Sequence, residues 1–335
     1  GNAMRASGLL LAFLASLTAA PQLGHAQGEV KPVTIVVGFS PGGGYDMYAR
    51  TLARHYGRFL PGEPKVVVQN MPGASGLKSV TWLDNGAPRD GSTIAAFNPG
   101  LITESVTDAA KIQFKFTDVA WVGSISRDYR ICYSWNGTGV KDFEGWLKRK
   151  QVAMGAPAPG SSAYVNAAMM KNLLGVPIHH VLGYPGSAEE RLAIERGELD
   201  GGCGAWSSNP PDWVKQKKIT PIVSFTKPPI PNLDMPVPFF RDLAKNDEDK
   251  KLFDLLTIPD AVGRPYIVSK AVPKDRLDIL RKGFDAAMKD KDFVEDALRL
   301  DLTVSPLTGQ ESHDLVAQVY SIDAHMVERM RKIAH

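Results

Sequence analysis

Val33-Thr34-Ile35-Val36-Val37-Gly38-Phe39-Ser40-Pro41-Gly42-Gly43-Gly44-Tyr45-Asp46 is the stretch that decides the fold. A β-branched run ends at a Pro-Gly turn, and Ala49, Leu52, Ala53 and Tyr56 then fall at helical spacing. Proline drives its predecessor into the extended region and ends the strand. Glycine permits positive φ and lets a ligand approach bare backbone. The same order of strand, Pro-Gly turn and helix recurs at Val66 to Leu83 around Pro72-Gly73-Ala74-Ser75-Gly76, and at Thr93 to Leu101 around Asn98-Pro99-Gly100. It returns at Val152 to Leu174 around Pro159-Gly160-Ser161-Ser162, and at Ile178 to Arg196 around Tyr184-Pro185-Gly186-Ser187. Strands alternating with helices imply α/β architecture with mostly parallel sheets and right-handed crossovers, so every strand-to-helix turn lies on one sheet edge, where ligands bind.

Gly38-Phe39-Ser40-Pro41-Gly42 also reads as G-x-S-x-G, the turn that carries the nucleophile of α/β-hydrolases. That elbow draws half of its oxyanion hole from the N–H of the residue after the serine, and Pro41 has none. A serine esterase using Ser40 would further need one of His55, His179, His180, His313, His325 or His335 to reach it. Positions 39–46, 69–77, 97–103, 155–163 and 183–188 hold no Lys, Arg, His or Cys, and Asp46 is their only carboxylate. No base and nucleophile pair can be assembled there. The residues after Gly44 are Tyr-Asp-Met, which fits neither the P-loop nor the dinucleotide fingerprint. The turns instead offer backbone N–H groups, helix N-termini and hydroxyls, a set suited to holding an anion. Asp46 is expected in the first turn of its helix, accepting free backbone N–H groups.

With 335 residues the chain has room for two domains. Gly1-Asn2-Ala3 read as a cloning remnant ahead of Met4. Arg5, the apolar run Leu9 to Leu17 and Gly24-His25-Ala26 then make a signal peptide over 1–26, with Gln27 the first mature residue and the periplasm its destination. With 39 Lys and Arg against 36 Asp and Glu the chain is nearly neutral, and its two basic clusters, at 148–150 and 215–218, read as solvated helix ends, which argues against nucleic acid as a partner. No metal site or cofactor is expected, because no Cys or His has ligand spacing. Cys132 and Cys203 leave two readings open, one disulfide or two buried thiols.

The chain crosses into a second lobe near Trp121 to Trp135 and returns through Gly263-Arg264-Pro265-Tyr266-Ile267-Val268. This gives lobe 1 as 27–126 with 258–335 and lobe 2 as 127–257. Helices are expected over Pro273 to Met288, Phe293 to Leu300 and Gly309 to Ile333, the last opened by a Thr308/Glu311 capping box. Arg264 is the one cation this scheme brings to the cleft.

The strand-PGGG-x-D-x-x-A-R run of Val33 to Arg50, Val66 to Gly76 as VVVQNMPGASG, Asp90-Gly91, Gly155 to Ser162, Tyr184-Pro185-Gly186 and Gly197-Glu198-Leu199-Asp200 together resemble the exported solute receptors of tripartite tricarboxylate transporters, the TctC or Bug type. The resemblance implies a two-lobed periplasmic binding protein of type II-like fold, monomeric and without cofactor. It implies capture of a small organic acid between the lobes and delivery to membrane permease subunits. The implied site comprises Phe39, Ser40, Pro41, Gly42, Gly43, Gly44, Tyr45, Asp46, Gly73, Ala74, Ser75, Asn98, Gly160, Ser161, Ser162, Tyr184, Pro185, Gly186, Trp206 and Arg264. Tyr45 stands where the family carries a small or hydroxylated residue, and is expected at the rim of the cleft. A sensor passing ligand occupancy to a membrane kinase is the alternative that keeps this fold.

Overall fold

In the computed structural model, residues 30–184 and 187–335 are described. The expected signal peptide, along with Pro185 and Gly186, lies outside them. The elements run β1 Val33–Val37, α1 Gly44–Tyr56, β2 Val66–Asn70, α2 Leu77–Asn85, β3 Thr93–Ala96, α3 Gly100–Thr107, β4 Ala120–Ser124, β5 Arg130–Trp135 and α4 Phe143–Leu147. They continue through β6 Val152–Ala156, α5 Ser162–Leu174, β7 Ile178–Leu182, α6 Ser187–Glu195, β8 Gly201–Ala205, α7 Pro211–Lys215, β9 Ile219–Ser224, α8 Phe240–Leu243 and α9 Asp247–Ala261. Last come β10 Pro265–Val268, α10 Lys274–Met288, α11 Lys291–Arg299, β11 Leu307–Thr308, α12 Gly309–Ala317 and α13 Ala324–Ala334.

The strands form two sheets, one ordered β11-β4-β10-β3-β1-β2 and the other β7-β6-β8-β5-β9. The strand-turn-helix units pair in parallel as their short helical crossovers require, β1 with β2 and β3, and β6 with β7. Both sheets are mixed, most strands of each running the same way with antiparallel strands inserted among them. β5 lies antiparallel between β8 and β9, and β10 antiparallel between β3 and β4. The chain passes from the first sheet to the second between β4 and β5, and returns between β9 and β10.

Cys132 faces Cys203 in the β5–β8 ladder and the two are joined as a disulfide. The helix expected over Gly309 to Ile333 is interrupted. After α12 the chain tightens into a short 3-10 turn, and Asp323 caps α13 by accepting from the Met326 N–H at 2.9 Å. The Thr308/Glu311 capping box is present.

One apolar cluster is shared by both sheets. It joins Phe97, Leu101 and Ile102 of the first to Met169, Met170 and Leu173 of α5, through Leu252 and Leu256 of α9 and Met330 and Ile333 of α13. Among the described residues no helix is long and apolar enough to cross a membrane.

Candidate functional site

The first turn is built around Asp46. Gly42 takes φ +93°, a backbone open to glycine, and this aims its N–H at Asp46 Oδ2, 2.8 Å away. The same oxygen accepts from Arg50 Nε at 2.9 Å, and Oδ1 accepts from Asn70 Nδ2 at 2.8 Å. Asn70 also donates to the Phe39 carbonyl, tying the end of β2 to the turn after β1. Asp46 is 2% exposed. Burial pushes its carboxyl up, yet the bonds from Arg50, Gly42 and Asn70 together outweigh this and hold it below the usual carboxylate range. Its role is to shape the turn, as expected of a first-turn acid.

With the turn so held, Gly43 is the N-cap of α1 and Gly44 its first residue. Gly43 is extended at φ −80°, so the positive φ of this turn belongs to Gly42 and a side chain at Gly43 meets no backbone strain. What Gly43 provides is room, since nothing lies within 4 Å of the position a Cβ would take. The N-terminus of α1 therefore opens onto free space. Beside it stands Arg264, whose Nη2 would lie 3.3 Å from a Cβ at Gly44. Its guanidinium carbon sits 4.6 Å from the Tyr45 ring centroid and 5.0 Å from that of Tyr48. The Tyr48 hydroxyl is anchored on the Thr303 carbonyl at 2.9 Å. Among the described residues no carboxylate lies within 4 Å of the Arg264 guanidinium. Tyr45 is half-buried between Arg264 and Phe39, whose ring stacks on it at 4.9 Å. Burial pushes its hydroxyl up to about 12, with the Arg264 charge opposing the rise.

The other first-sheet turns converge here. A Cβ at Gly38 would meet Gly76 Cα at 2.7 Å, so only glycine allows this approach, and Gly76, held at φ +92°, lies in ordinary contact range of Asn98 N and the Phe39 ring. Asn98 Oδ1 accepts from Gly100 N, closing the third turn. Gly73, Ala74 and Ser75 lead into α2 through a 3-10 turn. Ser40 is exposed, and among the described residues no histidine hydrogen-bonds to it. His55 is held by Asp296 and His325 by Glu248, while His335 contacts Thr107.

On the second sheet Tyr184 after β7 and Glu190 of α6 close over Gly155 of β6, where a Cβ would lie 3.0 Å from the Tyr184 ring and 3.1 Å from Glu190 Cγ. Ser161 caps α5, accepting from Tyr164 N while donating to the Ala158 carbonyl, and Ser162 begins the helix. Two expected site residues are otherwise engaged. Gly160 faces Glu104 of α3 and His335 rather than open space. Trp206 is 5% exposed in the second-sheet core, its indole N–H given to the Asn232 carbonyl.

Where the chain crosses between sheets lies a cluster that sequence reasoning missed. Arg130, 7% exposed, donates to Asp128 at 2.9 Å and to Asn166 at 2.6 Å, and stands 3.9 Å from Asp260. Tyr45 and Arg264 lie within electrostatic reach of it. Its members come from both crossings, far apart in the chain, so no local motif announces them. Asn70 and Arg50 had a signal, the first ending β2 opposite Val37 at the end of β1, the second four residues after Asp46. A surface groove of about 490 Å³ runs along α2 from Ala74 of the second turn, and another of about 420 Å³ lies between α3 and the 3-10 turn before α13. Size alone does not mark the site; the converging N–H groups and the arginine do.

Two mixed sheets flanked by helices, joined by two crossings of the chain, match the two-lobed fold of solved periplasmic solute-binding proteins. No family model matches the chain. It is 25% identical over 195 residues to a UPF0065 protein of Bordetella pertussis, a match spanning 57% of this chain and 59% of that one. Its fold is similar to that of a TctC solute binding protein from Polaromonas (TM-score 0.68, 16% identity, covering 90% of this chain and 97% of the other). It is likewise similar to MatC of Rhodopseudomonas palustris with bound malate (TM-score 0.64, 18% identity, 91% and 99%).

Proposed function

We propose that the protein is an exported receptor that captures a small carboxylate between its lobes and delivers it to the permease subunits of a tripartite tricarboxylate-type transporter. The observation that carries this reading is the open N-terminus of α1 at Gly43 and Gly44 beside Arg264, a cation with no carboxylate partner among the described residues. Unpaired N–H groups, a helix dipole and a fixed guanidinium together favour an anion and supply no nucleophile. The likeness to TctC and to malate-bound MatC supports a carboxylate as that anion. In this reading lobe 1 comprises 27–126 and 258–335, lobe 2 comprises 127–257, and the chain is cleaved after Ala26 on its way to the periplasm. On the same reading the ligand touches the turns at 39–45, 73–75, 98, 161–162 and 184–186, with Asp46 holding the first of them in shape.

A thermal-shift screen of di- and tricarboxylates, aromatic acids and acidic amino acids identifies the ligand, since a hundredfold excess over Kd adds about 2.7 kcal/mol. Calorimetric titration of two variants then separates receptor from hydrolase. Gly43→Val fills the space before α1 and is expected to lose most carboxylate binding while staying folded. Ser40→Ala is expected to change affinity by less than about tenfold, or 1.4 kcal/mol. A folded Gly43→Val that binds like the parent would remove the first turn from the site.

A further inference from the structure

The first turn has few anchors for a segment that must hold its shape. From Ser40 to Gly44 every residue is exposed, three of the five are glycine, and Pro41 has no N–H to give. Phe39 stacks on Tyr45, Gly38 N donates to the Ala96 carbonyl at 3.2 Å, and Gly42 N donates to Asp46. The remaining hold comes from outside the turn, from the last residue of β2. Asn70 meets three groups with one amide. Its Nδ2 donates to the Phe39 carbonyl at 2.9 Å and to Asp46 Oδ1 at 2.8 Å, and its Oδ1 accepts from Arg50 Nη2 at 2.9 Å. Both amide hydrogens are thus spent within the protein, and neither is left for a ligand. Arg50 closes the ring by donating through Nε to Asp46 Oδ2, the oxygen that also receives the Gly42 N–H. Beyond Asn70 the ladder to β1 runs one residue further, with Met71 N on the Val37 carbonyl at 2.8 Å, and the second turn then brings Gly76 against Gly38. Asn70 therefore stands at the root of the second turn while its side chain grips the first.

We propose that Asn70 is a positioning residue of the anion site, holding the first turn in its binding shape and in register with the second without touching the ligand. This rests on the receptor reading above. A turn whose tip buries no side chain stays ordered only while its hydrogen bonds hold it, and any order missing before capture must be restored at the expense of affinity. Asn70 fixes the carbonyl at the entrance of the turn, and through Asp46 it fixes the Gly42 N–H at its middle. The N-terminus of α1 at Gly43 and Gly44 is thereby presented beside Arg264. Truncating the amide leaves every ligand-facing donor in place but loosens where it points. Affinity then falls by a factor that belongs to the turn, and is the same for each acid that the turn receives.

Titration calorimetry of the whole protein with malate and with succinate, on the parent and on Asn70→Ala, Asn70→Asp and Arg50→Gln, reads that factor. Asn70→Asp keeps the volume and removes the donors, and Arg50→Gln opens the ring from its half-exposed side. Both Asn70 variants are expected to weaken the two acids by about tenfold or more and equally, and Arg50→Gln to weaken them by less. Without ligand, hydrogen exchange over 39–46 is expected to quicken in Asn70→Ala while β5, β6 and β8 keep the protection of the parent; a residue serving only global stability would not single out that segment. Because Asn70 acts through the turn that Asp46 shapes, the double variant of Asn70→Ala with Asp46→Asn is expected to bind within about twofold of the weaker single variant. Folded Asn70 variants that bind both acids like the parent overturn the proposal and leave the receptor reading standing. Losses that multiply in the double variant, or that fall on one acid alone, also overturn it, the first by separating Asn70 from the turn and the second by making it a ligand contact. Where neither Asn70 variant folds, Arg50→Gln decides, and parental affinity with parental exchange over 39–46 overturns the proposal. A parent protein that takes neither acid removes the receptor reading for small dicarboxylates, and the positioning role with it.

Discussion

Arg264 owes its place to two tyrosine rings. A guanidinium laid over Tyr45 and Tyr48 is held by its face, which leaves its in-plane N–H groups free for a carboxylate. Arg264→Gln keeps the approximate volume and removes the charge, and should weaken carboxylate binding by about tenfold or more with little change in melting temperature. Affinity equal to the parent would mean that the residue only packs. Asp46 works in the opposite register, since it faces protein and not ligand. Asp46→Asn removes the charge from an acceptor of three donors and should cost about 1–3 kcal/mol at pH 7, read by urea unfolding. Because the native carboxyl titrates below its ordinary value, the stabilisation is present above the unfolded pKa and is lost as pH falls through the native one. The gap between parent and variant should be widest from pH 6 to 8 and narrow below pH 4.

At the level of elements, the disulfide joins strands that are distant in sequence and adjacent in space. Bridging β5 to β8 across 71 residues constrains the unfolded chain by about 4 kcal/mol in the chain-entropy account. The paired Cys132→Ala and Cys203→Ala variant should lower the urea-unfolding free energy by a comparable amount, and an unchanged midpoint would show that the ladder holds without the bond. The ladder itself was legible only in part. Each strand-turn-helix unit declares itself locally, because proline ends the strand, glycine makes the turn and apolar spacing makes the helix. The Thr308/Glu311 cap was legible for the same reason. Strand order was not, because β5 and β10 enter their sheets antiparallel through pairings set by tertiary packing, and nothing local marks an insertion between other strands. The break before α13 was missed because apolar spacing persists across Ser321 to Asp323, with Ile322 packed on the core. The site followed the same division. Gly42, Asp46 and the open N-terminus of α1 were readable from one turn, whereas Arg130, Asp128 and Asp260 form a cluster only after the chain has crossed between the sheets and returned.

Across the whole molecule the two sheets share a hydrophobic layer even though each has its own strands. Phe97 and Leu101 on one side and Met169 and Leu173 on the other pack into one cluster with α9 and α13. Neither sheet can lose its outer helices without exposing apolar surface of the other, at about 25 cal/mol for each Å² uncovered. Unfolding should therefore be a single cooperative event despite the two-lobed form. Tryptophan supplies the probe, since Trp206 and Trp213 are buried in the second-sheet core whereas Trp121 lies in the first sheet. Urea unfolding followed by fluorescence of the parent and of Trp121→Phe, alongside far-ultraviolet circular dichroism, should give coincident midpoints within each protein. Separate transitions would mean that the shared layer yields first and the lobes unfold alone. The same coupling bears on capture. A carboxylate held at the α1 turn should move every probe together, including those in the second lobe. A shift confined to the first-sheet signal would show that the ligand is gripped by one lobe and not by both.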